Sequence, residues 1–354
     1  MARTVGGDAA GVAQALYQDR TLVRMLGMRR TMFVVPAEVA PIVHAGCTRA
    51  IAAVERRKLI QVVEQAGIAA DGGGWLAQVE EETMVALDAR GEALGQELSG
   101  DVEGLRQQIS YGDETKKWAG VSALTTRVLF LLAADGRIVR GQPRGSWTSS
   151  QYRWIRRSRW LADGTDLGVD GEPAPEAARA ALARRWLASF GPATAKDLQW
   201  WTGWTAGHTR AALTQLRPVE VDLGGVTGIV LPDDVEPIES PAPGEPWAAL
   251  LPALDPTVMG WSERSWFLGD QQQRAPLFDR SGNVGPTLWW DGRVVGGWAQ
   301  RKDGEVVVRL LRPADVGADG RAAVDQAAQR LQLAIGDVRI TPRFRTPLER
   351  ELTA

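Results

Sequence analysis

The stretch Gly136–Leu161, GRIVRGQPRGSWTSSQYRWIRRSRWL, decides how the chain is read. Asp135-Gly136 is a turn signal that ends the apolar run Ser122–Ala134. After it, Arg137–Arg140 and Ser146–Trp154 read as two strands joined by a Gly/Pro loop. The stretch holds seven arginines (Arg137, Arg140, Arg144, Arg153, Arg156, Arg157, Arg159) and no acidic residue, although the chain as a whole carries a formal charge of −2. Trp147, Tyr152, Trp154 and Trp160 stand between them. Guanidinium groups grip phosphate bidentately, so a local cationic block with aromatics suits a nucleic-acid backbone. The plainer alternative is a basic hairpin that covers a neighbouring acidic face.

The elements before the hairpin complete a unit. Trp75–Ala89 has helical periodicity, Glu92–Leu98 reads as a short helix, and Leu105–Ile109 leads into a polar loop with Lys116 and Lys117. With the helix Ser122–Ala134, the order is that of a winged helix-turn-helix, assigned to residues 72–165. The order recurs in residues 166–232. There, helix Glu176–Phe190 stops at Gly191-Pro192, and Thr194–Asp197 resembles a capping box opening a short helix. Helix Thr205–Leu216 follows, then a hairpin, Val219–Leu223 and Thr227–Leu231, around Gly224-Gly225.

Residues 1–71 read as a partial unit of the same kind. They show a helix over Ala9–Gln18, strands Leu22–Met25 and Thr31–Val35 about Gly27, and a helix over Ala37–Gln65. Gly72-Gly73-Gly74 marks a break. The proline-rich, acidic residues 233–246 form a linker. In residues 247–354, Asp291-Gly292 and Asp303-Gly304 are hairpin turn dipeptides between strand-like runs. A helix Arg321–Ala334 and a last strand Val338–Phe344 follow. The predicted fold is therefore α+β: tandem winged helix-turn-helix units, the first incomplete at its N-terminus, followed by a β-rich, barrel-like C-terminal domain.

Composition narrows the chemistry. With 354 residues, 24% charged and 44% hydrophobic, the sequence is that of an ordinary globular protein. No apolar run spans a bilayer, and Met1–Gly11 lacks the apolar core of a signal peptide. A cytoplasmic, nucleoid-associated monomer is expected. The single cysteine, Cys47, excludes an internal disulfide and reads as a small core residue. Two histidines, His44 and His208, exclude a metal site built on several histidines. No P-loop, GxGxxG after a strand, HExxH or GxSxG is present, and no cofactor or metal is expected. Asp255 and Asp279 read as turn-formers, and Gln271-Gln272-Gln273 as a polar loop.

The candidate contacts to double-stranded DNA are Arg127 on the helix Ser122–Ala134, where Thr125 and Thr126 also lie, and His208 and Arg210 on the helix Thr205–Leu216. To these the hairpin adds Arg137, Arg140, Arg144, Trp147, Arg153, Arg156 and Arg157. The middle unit's chemistry favours DNA, while the last unit could be structural. Winged helices also serve as protein-protein modules, so that alternative stays open.

Several motifs in order carry a resemblance. LVRMLGMRRTMFVVP (22–36), TRVLFLLAADGRIVRGQPRGSWTSSQYRW (126–154), SFGPATAKDLQWWTGW (189–204), LLPALDPTVMGW (250–261) and GPTLWWDGRVVGGW (285–298) resemble the winged-helix DNA glycosylase superfamily. They are most similar to the actinobacterial branch of its AlkZ-like group. The resemblance implies three tandem winged-helix units and a β-barrel-like domain. It also implies hydrolysis of the N-glycosidic bond of alkylated purines, including those in crosslinks, without metal or cofactor. The family's catalytic Gln-hydrophobic-Gln or Gln-hydrophobic-Asp lies ahead of the segment matching Ala15–Pro36. Nothing in Met1–Gln14 fits it, so the catalytic residues stay unassigned. Missing first helices would expose the apolar faces of Leu22–Val35 and Ile42–Val63, which leads us to expect that a longer form carries the element. A non-enzymatic regulator or damage-sensing DNA-binding protein is the alternative.

Overall fold

A computed structural model describes residues 7–111, 120–160, 173–236, 244–342 and 344–354. The chain divides into two units, one of Ala13–Ala183 and one of Arg184–Ala354 with Met1–Val12.

In the first unit, α1 (Ala9–Tyr17) leads into the antiparallel hairpin β1 (Leu22–Leu26) and β2 (Met32–Pro36), with Leu26 opposite Met32. A 3-10 turn at Ala37–Val39, α2 (Ala40–Val43), a π-turn at His44–Thr48 and α3 (Arg49–Gln65) follow without interruption. The apolar spacing had merged them into one helix and gave no sign of the π-turn. That turn is held from outside: the Thr48 hydroxyl donates to the Leu26 carbonyl at 2.6 Å. Val23, Leu26, Val35, Val43, Leu59 and Val63 are buried, while Met32, Val34 and Val54 are exposed. The apolar faces of this region are thus largely covered.

Next comes α4 (Gly72–Arg90), and here the predicted break is corrected: the three glycines form the helix's first turn. The Asp71 carboxylate accepts from the Gly74 N–H at 2.9 Å and caps the helix. A Cβ on Gly72 would stand 2.7 Å from the Ile60 carbonyl oxygen, so glycine lets α4 start against α3. The following elements are β3 (Glu92–Leu94), α5 (Gly95–Asp101), α6 (Glu103–Arg106), β4 (Gln108–Tyr111), β5 (Gly120–Ala123), α7 (Thr125–Ala134), β6 (Ile138–Pro143), β7 (Tyr152–Arg156) and α8 (Arg157–Trp160). The loop with Lys116 and Lys117 lies outside the described residues.

A second correction falls at residues 92–98, read as one helix. Glu92–Leu94 instead pairs antiparallel with β7, and the sheet runs β3-β7-β6. The Glu97 carboxylate takes the Leu94 N–H at 2.7 Å, which stops the strand and starts α5. Leu76, Leu87, Leu98, Leu105, Leu124, Val128, Leu132 and Ile138 form the shared core of these helices and the sheet. Each fully buried aliphatic of this kind contributes about 1.5–3 kcal/mol.

The second unit takes in the end of α9 (Pro175–Phe190), then α10 (Ala195–Thr202), α11 (Ala206–Leu216) and the hairpin β8 (Val219–Asp222) and β9 (Thr227–Val230). An isolated bridge joins Ala193 to Ile229 of β9. After β10 (Ala248–Leu251) come α12 (Ser265–Leu268), α13 (Gln271–Arg274), β11 (Thr287–Trp290), β12 (Arg293–Gln300), β13 (Val306–Leu310), α14 (Ala318–Ile335) and α15 (Pro347–Leu352). Asp291 and Gly292 both take positive φ, 43° and 76°, as the tight turn between β11 and β12 requires.

The barrel-like expectation is corrected here. Among the described residues the strands form an open four-stranded meander, β10-β11-β12-β13, with no closure. One face is instead filled by α14, whose Val324 and Ala327 pack with Leu250, Leu288, Val295 and Trp298. The predicted last strand is also absent from the described part of residues 338–344. The Gln300 side chain substitutes for a ladder: its amide donates to the Val338 carbonyl at 3.0 Å and its oxygen accepts from the Ile340 N–H at 2.9 Å. Gln271–Arg274 is likewise a short helix capped by Asp270 rather than a loop.

Candidate nucleic-acid interface

The basic hairpin separates into a tip and two arms of different character. At the tip, the Arg144 N–H reaches the Gln151 carbonyl at 2.8 Å and closes the end of the ladder. Beyond it, the Ser146 hydroxyl accepts the Thr148 N–H at 3.2 Å and the Ser149 hydroxyl accepts the Gln151 N–H at 3.1 Å, so the loop is shaped by its own hydroxyls. Arg144 is exposed, and Trp147, 54% exposed, projects an indole into solvent.

The arms are different, and here the expectation of an unopposed cationic stripe is modified. Arg137 meets Glu81 at 3.1 Å and Glu80 at 3.5 Å, both on α4. Arg156 lies 2.7 Å from Asp88 of α4, and Arg153 lies 3.2 Å from Glu92 of β3. Strand pairing causes this: β3 sits beside β7, and α4 runs directly into β3, so their acids fall against the hairpin's arginines. Apart from buried Glu80, these pairs are well exposed, and such pairs contribute about 0–1 kcal/mol. Arg140 takes a third environment, stacked 5.2 Å from the Trp154 ring centroid and 5.6 Å from that of Tyr152. Among the described residues Arg127, Arg144 and Arg157 face no carboxylate.

The two helices proposed from sequence to read bases also differ. In α7, Val128, Leu129, Leu131, Leu132 and Ala134 are buried, leaving Thr126 and Arg127 of its first turn toward solvent. Thr125 is committed, donating to the Leu105 carbonyl at 2.8 Å. In α11, Thr209 and Ala212 are buried, while Gly207, His208, Arg210, Ala211, Thr214 and Gln215 form one exposed face. Thr205 caps it, its hydroxyl accepting the His208 N–H at 3.2 Å. Geometry therefore gives α11 a longer open face than α7, the reverse of the weighting drawn from charge alone.

Sequence reasoning missed Arg24. It projects from β1 and stacks 4.7 Å from the Tyr152 ring centroid, next to Arg140. No motif marked it; the signal lay in long-range packing that sets β1 against β6 and Arg24 over Tyr152 of β7. Burial, partly offset by Arg24, raises the nearby Tyr17 hydroxyl above its ordinary pKa.

The other candidates are structural. Asp255 accepts the Thr257 N–H at 2.9 Å, and Asp279 accepts those of Ser281 and Asn283 at 2.8 and 2.9 Å, as turn-formers do. Cys47 is buried. Among the described residues, no three His, Cys, Asp or Glu side chains are grouped to hold a metal. No helix among them is long and apolar enough to cross a membrane.

The sequence profile of the family described as DNA glycosylase AlkZ-like matches residues 1–333. The chain belongs to the AlkZ-like DNA glycosylase family. Its fold is similar to the solved structure of the Streptomyces sahachiroi DNA glycosylase AlkZ. The TM-score is 0.63 at 21% identity, covering 92% of this chain and 84% of that one. No curated protein matches the sequence.

Proposed function

We propose that this protein binds double-stranded DNA through winged helix-turn-helix units and acts, within its glycosylase family, in the repair of alkylated purines. The observation that best supports the reading is the order α4, β3, α5, α6, β4, β5, α7, β6, β7 with the sheet β3-β7-β6, which is consistent with a winged helix whose exposed tip bears Arg144 and Trp147. In α9, α10, α11, β8 and β9, with Ala193 bridging to β9, the same order supports a second unit. In such units the second helix enters the major groove, with its first residues at base edges, and the wing tracks phosphates. Arg127 in one unit and His208 and Arg210 in the other hold those helix positions; Arg144 and Trp147 hold the wing position. The divisions at residues 72–165, 166–232 and 247–354 follow this reading.

Alkylation at N7 or N3 gives the purine a positive charge and makes it a good leaving group. Hydrolysis then breaks the bond from the sugar C1′ to the base nitrogen, the base departs with the electron pair, and water supplies the oxygen to C1′. No residue described here is assigned to that step. The sequence's one Gln-x-Gln, Gln271–Gln273, is spent on capping: the Gln273 side chain accepts the Asp270 N–H at 3.2 Å. That observation favours, as the second reading, a damage-binding protein that does not cleave.

The test is binding of the 354-residue chain to a duplex containing one N7-methylguanine, followed by assay for free base. Duplex binding that weakens steeply with salt is expected. Absence of duplex binding overturns the proposal, and binding without base release selects the second reading.

A further inference from the structure

We propose that the cleft walled by Arg24, Arg140 and Arg157 is a seat for one phosphate group. The cleft lies wholly within the first unit and has a volume of about 60 Å³. Met25, Met32, Phe130 and Ile138 supply apolar lining, and His44 also lines the cleft, its Nε2 2.9 Å from the Ala134 carbonyl. A space of this size holds a few waters or one tetrahedral anion rather than a whole nucleotide.

Its charge is what singles it out. Arg137, Arg153 and Arg156 on the same hairpin each have an acidic neighbour, whereas Arg24, Arg140 and Arg157 have none among the described residues. Asp135, next in sequence to the lining residues Ala134 and Gly136, is taken by Arg56 through a side-chain hydrogen bond. Arg24 and Arg140 share the Tyr152 ring, so two like charges stand together in a partly desolvated place. Burial, with a smaller contribution from Arg24, holds the Arg140 guanidinium below its ordinary pKa. Stacking fixes a guanidinium by its face and leaves its N–H edge to donate, which is the arrangement that recognises phosphate oxygens in pairs. Gly136, at φ 72°, lies beside Arg157: a Cβ built on it would stand 3.3 Å from Nη1.

Phosphate in this seat has two sources, the backbone of a bound duplex or free phosphate. The first rests on the DNA-binding reading above, and the second does not. Arg24→Gln with Arg157→Gln removes two walls and leaves Arg140, which also stacks on Trp154, and Arg24→Lys keeps the charge while losing the fork.

Two measurements decide. One is duplex affinity as a function of salt. There the double variant should lose about one unit of the log–log slope, the share of one phosphate contact, with Arg24→Lys between it and the unaltered protein. The other is the thermal midpoint in orthophosphate against chloride at equal ionic strength, where a rise in the unaltered protein should vanish in the variant. A change in slope assigns the backbone, and a change confined to the midpoint assigns free phosphate. If neither moves, the seat is refuted. Should the variants match the unaltered protein while Arg144→Ala weakens duplex binding, the seat fails and the wing reading stands. Should the unaltered protein bind no duplex, the wing reading fails and the orthophosphate measurement alone decides the seat.

Discussion

The Nε atom of Arg156 lies 2.7 Å from the carboxylate of Asp88, yet its N–H makes no hydrogen bond among the described residues. The pair is a charge contact without directional grip. With side chains 33% and 51% exposed, it is of the kind that adds at most about 1 kcal/mol. Arg153, three residues earlier on the same strand, forms a similar pair with Glu92. Such carboxylates partly neutralise the hairpin while costing little to displace, so phosphate competes with them on nearly equal terms.

Asp88→Asn together with Glu92→Gln should therefore leave stability within about 1 kcal/mol and tighten duplex binding. The salt slope should steepen by up to about 0.9 for each arginine that gains a phosphate. Affinity measured by anisotropy at several salt concentrations checks this. Unaltered affinity and slope would place both arginines off the path of the DNA.

His208 and Arg210 offer a contrast between base and backbone contacts on one helix. Both are exposed on α11, and His208 stands in its first turn, where a groove-entering helix meets base edges. Replacing either with alanine should leave the thermal midpoint nearly unchanged, because neither side chain is buried. Duplex affinity should fall by a factor of about ten, the low end of what one base-edge or phosphate contact provides. Equal affinity in both variants would make the second unit structural.

Much of this architecture was legible because local chemistry and packing agree. The Thr194 capping box is present, with the Thr194 hydroxyl accepting the Asp197 N–H at 3.1 Å and the carboxylate returning to the Thr194 N–H at 3.1 Å. The turns at Asp135-Gly136 and Asp291-Gly292 fall where their dipeptides put them. What escaped depended on distant partners. Glu92–Leu94 is a strand only because β7 lies beside it. Gly72–Gly74 is helical only because Asp71 caps it and Ile60 leaves no room for a side chain. At the C-terminus the sign was present and overlooked: Thr346-Pro347-Leu348-Glu349 is a capping box with proline at the first helical position, and it opens α15. The site was half legible, since composition found the arginines but could not show which of them α4 and β3 would pair.

Glu80 is the most constrained of those acids. Its side chain is 5% exposed and receives both Arg56 nitrogens, at 3.1 and 2.8 Å, with Arg137 at 3.5 Å. Burial pulls the Arg56 guanidinium down, but Glu80 and Asp135 outweigh it and hold it above its ordinary value. Glu80→Ala should cost about 1.5–3 kcal/mol, the usual loss for hydrogen bonds between charged groups, because Asp135 still pairs with Arg56. Urea denaturation at neutral pH measures it. A loss under about 1 kcal/mol would mean that water replaces the carboxylate freely.

Asp197 gives the second unit a comparable anchor with a pH signature. One carboxylate oxygen caps α10 through Thr194. The other accepts the Ser262 N–H at 2.9 Å, the Ser262 hydroxyl at 2.7 Å and the Glu263 N–H at 3.0 Å. Burial alone would push this carboxyl up, but the hydrogen bonds from Thr194, the Glu263 backbone and Ser262 together hold it below its ordinary value. A depressed folded-state pKa means that the ionised group stabilises the fold above the unfolded value, near about 3.9, and that this contribution is lost as pH falls through the folded value. Asp197→Asn keeps the shape but loses the charge and one acceptor, at a cost of about 2 kcal/mol at neutral pH. Urea midpoints of both proteins at several pH values should show a constant gap above about pH 5 that narrows below about pH 4. A gap that widened in acid would show the Asp197 carboxyl to be held protonated, reversing the role given to Ser262.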